Sequence, residues 1–349
     1  MSQRILAACL TACLTVGLVA ATSAPAAATS ACREVTVPVS TAEDQPARYR
    51  IRGRLCVPAH RPATTVQVLV HGLNYSGLYW DPPYQPDRYS HVRAANRAGY
   101  ATFALDRLGV GASSHPASTE VTTSANAHTL HQVVTALRER GFDTVVLVGH
   151  SYGSEIATLA ASRYSDVDAL VLTGNASRIS PSAQEGLARL GQPVAEVPRL
   201  AARVPAGDTG YVTVRDEQRP LFMYEPAAAD PNVIALDVAT KETNTLAELA
   251  TLGDADAPGV TARLTLPILV VDGDADRLVC APDATDCSSP AALAAAEQPF
   301  YPNTRVDAVL VPGAGHALNL HRDAPVAHRR ILAWLDRALM FRPAVSSEE

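Results

Sequence analysis

Lysine is almost absent from this chain of 349 residues: Lys241 is the one instance, and nearly all the positive charge is arginine. Charged residues make up 18% of the sequence, aromatics 5%, and the formal net charge is −6 with no basic run. A nucleic-acid binder needs clustered Lys and Arg to displace phosphate counterions, so that class is excluded. Low charge beside 47% apolar residues also excludes long disorder. No Cys/His set has zinc spacing, and neither a metal nor a cofactor is expected. There is no internal repeat and no linker. Past the N-terminus, no apolar run is long enough to cross a membrane. The length suffices for one large domain or two ordinary ones.

Residues 1–28 read as a secretory signal peptide. Arg4 supplies a positive start, Ile5 to Ala21 is a mostly apolar stretch, and Ala26-Ala27-Ala28 is an A-x-A cleavage site. The stretch is shorter than the ~20 residues of a spanning helix, so no stable membrane insertion is expected after cleavage. Lipobox-like cysteines at Cys9 and Cys13 sit too close to the start to leave a full apolar region. The mature chain, 29–349, is expected to be secreted and monomeric.

Cleavage leaves Cys32, Cys56, Cys280 and Cys287. An even count in an exported chain predicts disulfides, and four cysteines allow three pairings. Cys280 and Cys287 flank a short polar loop, which favours a local bridge. Cys32 then pairs with Cys56 across a hairpin built from 34–39 and 49–57.

Six short runs read as buried parallel strands: Val66–Val70, Ala101–Leu105, Thr144–Val148, Ala169–Leu172, Ile268–Val271 and Ala308–Val311. Helical spacing marks Tyr89–Arg97, Asn126–Arg140, Ser154–Arg163 and Pro325–Leu339. Alternating strands and helices predict an α/β fold with a mostly parallel, doubly wound sheet covered on both faces. Residues 176–264 break the rhythm. They show no convincing strand and read as a helical cap inserted late in the sheet.

The strongest local signal is Gly149-His150-Ser151-Tyr152-Gly153, a G-x-S-x-G motif between an apolar strand and a helical pattern. That context predicts a nucleophile elbow, with Ser151 on a sharp strand-to-helix turn. Serine needs a base, most often a histidine oriented by a carboxylate. After Ser151 the histidines are His316, His321 and His328. His316 sits in a Gly-rich turn after a strand, whereas the other two lie on or before the last helix. Asp272, Asp274 and Asp276 crowd one turn and compete as the acid.

With four further segments in the same order, the chain resembles the α/β-hydrolase family. These are His71-Gly72 after the third strand, Asp106-Arg107-Leu108-Gly109-Val110-Gly111-Ala112-Ser113, Pro267–Asp276, and Gly313-Ala314-Gly315-His316. The resemblance implies a catalytic set of Ser151, Asp276 and His316, with Asp274 as the alternative acid. It implies an oxyanion hole from the backbone N–H groups of Leu73 and Tyr152. His71 and His150 are expected to support the site, and Asp106 to tie its glycine turn.

Five aromatics crowd the loop from Tyr75 to Tyr89. Tyr75, Tyr79 and Trp80 are candidates for a substrate-pocket wall suited to an apolar or aromatic small molecule. The alternative is a proline-stiffened loop whose aromatics pack on the body.

The sequence thus predicts a secreted serine hydrolase acting on a carboxylic ester, lactone or thioester. A cap-bearing exopeptidase of the prolyl aminopeptidase kind is the alternative. It would hold a substrate amine on cap acids such as Glu217, Glu225, Glu242 or Glu248. A non-catalytic binding protein of the same fold is a third reading, disfavoured because Ser, Asp and His are all retained in order.

Overall fold

Strands apolar at nearly every position need cover on both faces, and the sequence places most of these runs consecutively. The computed structural model describes residues 30–59, 62–188 and 191–340. The expected leader lies outside them. The central strands are β1 Ser30–Val39, β2 Tyr49–Pro58, β3 Thr65–Val70, β4 Ala101–Asp106, β5 Thr144–His150, β6 Ala169–Thr173, β7 Ile268–Gly273 and β8 Val306–Val311. They form one sheet in the order β1-β2-β4-β3-β5-β6-β7-β8. β1 and β2 are antiparallel, β2 pairs antiparallel with β4, and every other pair is parallel.

Side-chain alternation divides the apolar residues between the two faces. Val66, Val68, Val70 and Leu147 join α2 (Thr123–Arg138) and α3 (Tyr152–Tyr164) in one cluster. Leu69, Val146, Val148 and Val271 join α1 (His91–Ala98) and α5 (Ala324–Met340) in the other. The sequence pattern missed α4, Pro290–Glu297, which is Ala-rich with little apolar contrast between its faces. Gly99 ends α1 at φ 94°, a left-handed conformation that glycine adopts without side-chain cost.

The disulfides join the expected partners. Cys32 and Cys56 face each other in the β1–β2 register, and β1 begins earlier than the 34–39 run suggested. Cys280 and Cys287 close a local loop.

The segment between β6 and β7 differs from the all-helical expectation. It contains a three-stranded antiparallel sheet of Gly191–Pro193, Tyr211–Val214 and Asn244–Thr245 among short helices. Strands this short cannot display a two-residue period, so the sequence pattern could not reveal them. The segment is fastened to the body by Glu242 N donating to Asn74 O at 2.9 Å and Thr245 Oγ1 to Val121 O at 2.8 Å. Lys241, the lone lysine, is buried in it, donating to the Val214 carbonyl and pairing with Asp216.

Candidate active site

Register brings the sequence motifs to one edge. Val70 pairs with Gly149, His150 with Thr173, and Gly273 with Val311. The loops holding His71-Gly72, Ser151, Asp276 and His316 therefore leave the same carboxyl edge of the sheet, where ligands of open α/β sheets bind.

Ser151 lies between β5 and α3 at φ 52°, ψ −125°. A non-glycine residue held there costs roughly 1–3 kcal/mol and persists only when its surroundings enforce it. The enforcement is visible. A Cβ on Gly149 would lie 2.4 Å from Ser154 Cα, and one on Gly153 would lie 2.2 Å from Val70 O. Ser151 N donates to Thr173 O at 2.8 Å, fixing the turn to the neighbouring strand. The loop of Gly72 and Leu73 abuts it, since a Cβ on Gly72 would lie 3.0 Å from Ser151 Cβ.

Of the three crowded aspartates, only Asp276 meets the histidine. His316 Nδ1 and Asp276 Oδ2 are 2.8 Å apart, with both side chains buried. Asp276 Oδ1 accepts from the backbone N–H groups of Leu278 at 2.8 Å and Val279 at 3.3 Å. Asp274 instead accepts from Gly313 N at 2.6 Å and braces the loop that delivers the histidine. Asp272 is fully buried in β7, and burial, reinforced by the Asp276 charge, pushes its carboxyl well above the usual range.

His71 and His150 are fully buried beside the site. Burial, then the neighbouring His316, holds the His150 imidazole well below its usual range, so it stays neutral. Its ring lies 5.1 Å from that of His316. His321 accepts from Glu225 N and Gly315 N, each at 3.0 Å, and packs the loop rather than serving as a base. His328 is buried against His91. Asp106 ties its turn as expected, accepting from Gly77 N and Ala112 N at 2.9 Å each.

The aromatic loop packs inward. Tyr79 stacks on His150 at 4.3 Å, Trp80 sets its edge against His91, and the Arg219 guanidinium lies 4.1 Å from the centroid of the Tyr75 ring. All three aromatics are buried. Tyr75 and Tyr79 border a narrow crevice with Val233, Leu236 and Leu320, and Trp80 does not reach it.

Sequence reasoning missed the buried ion pairs Arg107–Glu248 and Arg219–Asp237. Arg107 stands inside the glycine turn already singled out, and that position was its one signal. Nothing local marks Arg219, whose partner is supplied by another helix of the insertion.

The sequence signature of the alpha/beta hydrolase family matches residues 67–329. No curated protein matches the chain. Among solved structures it is similar to a thermophilic esterase from Thermogutta terrifontis with malate bound. That pair shares 21% identity over 88% of this chain and 99% of the other, at TM-score 0.57. A bromoperoxidase from Bacillus anthracis is similar at 19% identity, over 87% and 100% of the two chains, with TM-score 0.57. Monoglyceride lipase from Saccharomyces cerevisiae follows at 14% identity, over 87% and 96%, with TM-score 0.58. At such identities the likeness speaks for the fold.

Proposed function

The chain belongs to the α/β-hydrolase family, and from that premise we propose that it is a secreted serine hydrolase of carboxylic esters, lactones or thioesters. The observation that carries the reading is the buried 2.8 Å pair of His316 and Asp276, delivered to the same sheet edge as the strained Ser151. In the reaction, Ser151 Oγ attacks the acyl carbon and His316 Nε2 takes its proton. Asp276 holds His316 Nδ1–H and stabilises the imidazolium that forms. The N–H groups of Leu73 and Tyr152 receive the oxyanion. The alcohol or thiol leaves with the proton from His316, and water repeats the sequence on the acyl-enzyme.

The exopeptidase alternative needs a free acid for a substrate amine. Glu225 pairs with Arg277, Glu242 with Arg203, and Glu248 is buried against Arg107. Only Glu217 of the four named acids is left for an amine, which favours the ester reading. Secretion is supported by the leader pattern and by two disulfides that suit an oxidising compartment. No helix among the described residues is long and apolar enough to cross a membrane.

Ser151→Ala tests the reading. Against a panel of p-nitrophenyl acyl esters and aminoacyl anilides, wild type should turn over esters. The variant should fold and lose roughly 10⁴–10⁶-fold in kcat. A variant keeping a tenth of the activity refutes the acyl-enzyme.

A further inference from the structure

Arg107 is among the largest fully buried side chains, and the reaction scheme gives it no role. It follows β4 and turns back under the loop that carries Leu73. Its Nε donates to His71 O at 3.1 Å and its Nη2 to Gly72 O at 3.3 Å. Its Nη1 pairs with Glu248, and both side chains are only 1% exposed. Its backbone N–H donates to His71 Nε2 at 3.2 Å. That bond makes Nδ1 the protonated nitrogen, and it donates to Gly72 O at 2.9 Å. Burial, then the Arg107 charge, keeps this imidazole neutral, as the tautomer requires.

Gly72 O thus receives two donors. That carbonyl and the Leu73 N–H belong to one planar trans peptide, in which they point in opposite directions. Fixing the oxygen on Arg107 and His71 aims the N–H the other way. Donors on a carbonyl also polarise its peptide, so the attached N–H becomes the stronger donor. The guanidinium also lies 4.9 Å from the ring centroid of Tyr152, the residue whose backbone supplies the second donor.

Glu248 comes from the segment inserted between β6 and β7. Its carboxylate accepts from Asn126 Nδ2 at 3.0 Å and from Thr245 N at 2.9 Å, closing a capping box at the start of Leu246–Ala250. These contacts join the insertion, α2 and the loop of Leu73 through one buried ion pair.

We propose that Arg107, locked by Glu248, is a positioning residue that aims and polarises the Leu73 N–H for the oxyanion, so that docking of the inserted segment sets the rate of acyl transfer. The inference rests on the serine-hydrolase reading above.

Two variants test it. Arg107→Lys keeps a charge opposite Glu248, but a single ammonium cannot hold both carbonyls in the guanidinium's planar fork. The double variant Arg107→Met with Glu248→Met replaces the pair by apolar side chains and leaves no buried charge unpaired. Each is measured for kcat and KM on a p-nitrophenyl ester, for Tm, and for inhibition by an alkylboronic acid, whose tetrahedral serine adduct places an oxygen in the oxyanion position. A lost oxyanion donor costs about 10²–10³-fold, so a misaimed one should cost about 10–100-fold in kcat, with KM changed less than about threefold. Boronate affinity should fall in parallel with kcat while Tm stays near wild type. A folded Arg107→Lys or double variant with kcat and boronate affinity within about twofold of wild type overturns the proposal. So does a rise in KM alone. Ser151→Ala runs in the same assay. If it is inactive while the Arg107 variants are normal, only this inference fails; if it stays active, the hydrolase reading fails with it.

Discussion

Replacing Asp276 by Asn changes one group in a buried, fully bonded setting, and its effect follows from which oxygen faces which partner. Asp276 Oδ1 accepts from two backbone N–H groups, those of Leu278 and Val279. In Asp276→Asn the amide oxygen must stay there, because an NH₂ would set donor against donor. The NH₂ then faces His316 Nδ1, where Oδ2 now sits at 2.8 Å. His316 can meet that donor only by giving up its Nδ1 proton and carrying it on Nε2 instead. An Nε2–H cannot take the proton of Ser151. In a well-studied triad this exchange costs about 10⁴-fold, equivalent to about 5.5 kcal/mol of transition-state stabilisation. The fold should tolerate it, since shape is conserved and one of two adjacent buried carboxylates, Asp272 and Asp276, loses its charge. Asp274→Asn keeps an oxygen able to accept from Gly313 N and should stay within about tenfold of wild type, lacking the tautomer penalty. Steady-state kinetics on a p-nitrophenyl ester, beside thermal melts of each variant, decide the matter. A folded Asp276→Asn within tenfold of wild type, or an Asp274→Asn with the deeper defect, refutes the reasoning.

The two disulfides should separate stability from activity. They span 24 and 7 residues, so chain entropy assigns about 3.5 kcal/mol to Cys32–Cys56 and about 2.5 kcal/mol to Cys280–Cys287. Cys280 N donates to Asp276 O at 2.8 Å, so the paired Ser variants at 280 and 287 should lose several-fold in kcat. The pair at 32 and 56 should lose more Tm and little kcat, and the opposite ranking would refute the assignment. Three acids should each lower stability as pH rises, against buried histidines such as His71, His91, His150 and His328, which are held neutral and raise it. Burial pushes Glu155 and Glu297 up to about 7 and Asp256 up to about 6. Acids raised in the folded state contribute stability that is complete below their unfolded pKa, near 4–4.5, and is lost as pH rises through about 7. Urea unfolding of wild type and Glu155→Gln at pH 5 and pH 7.5 isolates one acid: the variant should gain stability relative to wild type as pH rises. A difference between the two that is the same at both pH values would contradict it.

Much of the site was legible in order along the chain. The apolar runs at 66–70 and 144–148 became β3 and β5 because runs apolar at every position must be covered on both faces. Gly149 and Gly153 predicted the elbow because no side chain fits where strand and helix cross, and the clashes at 2.4 and 2.2 Å are the measure of that. His316 stood apart from His321 and His328 by its Gly-rich turn alone. The all-helical reading of residues 176–264 failed because strands of two to four residues carry no period.

Local pattern determined the sheet, the strand-to-helix turn at Ser151 and the cysteine pairs, since each depends on residues close in sequence or on hydrophobic repeat. Tertiary structure set Asp276, which the family resemblance favoured over Asp274 and Asp272, against His316, a partner 40 residues away. It also turned Tyr75, Tyr79 and Trp80 inward and joined Arg107 to Glu248 across 141 residues. Such contacts depend on how loops and the inserted segment pack over the sheet edge. Burial makes each unpaired charge costly, so the fold must supply a partner there, and no short window of sequence says which residue that will be.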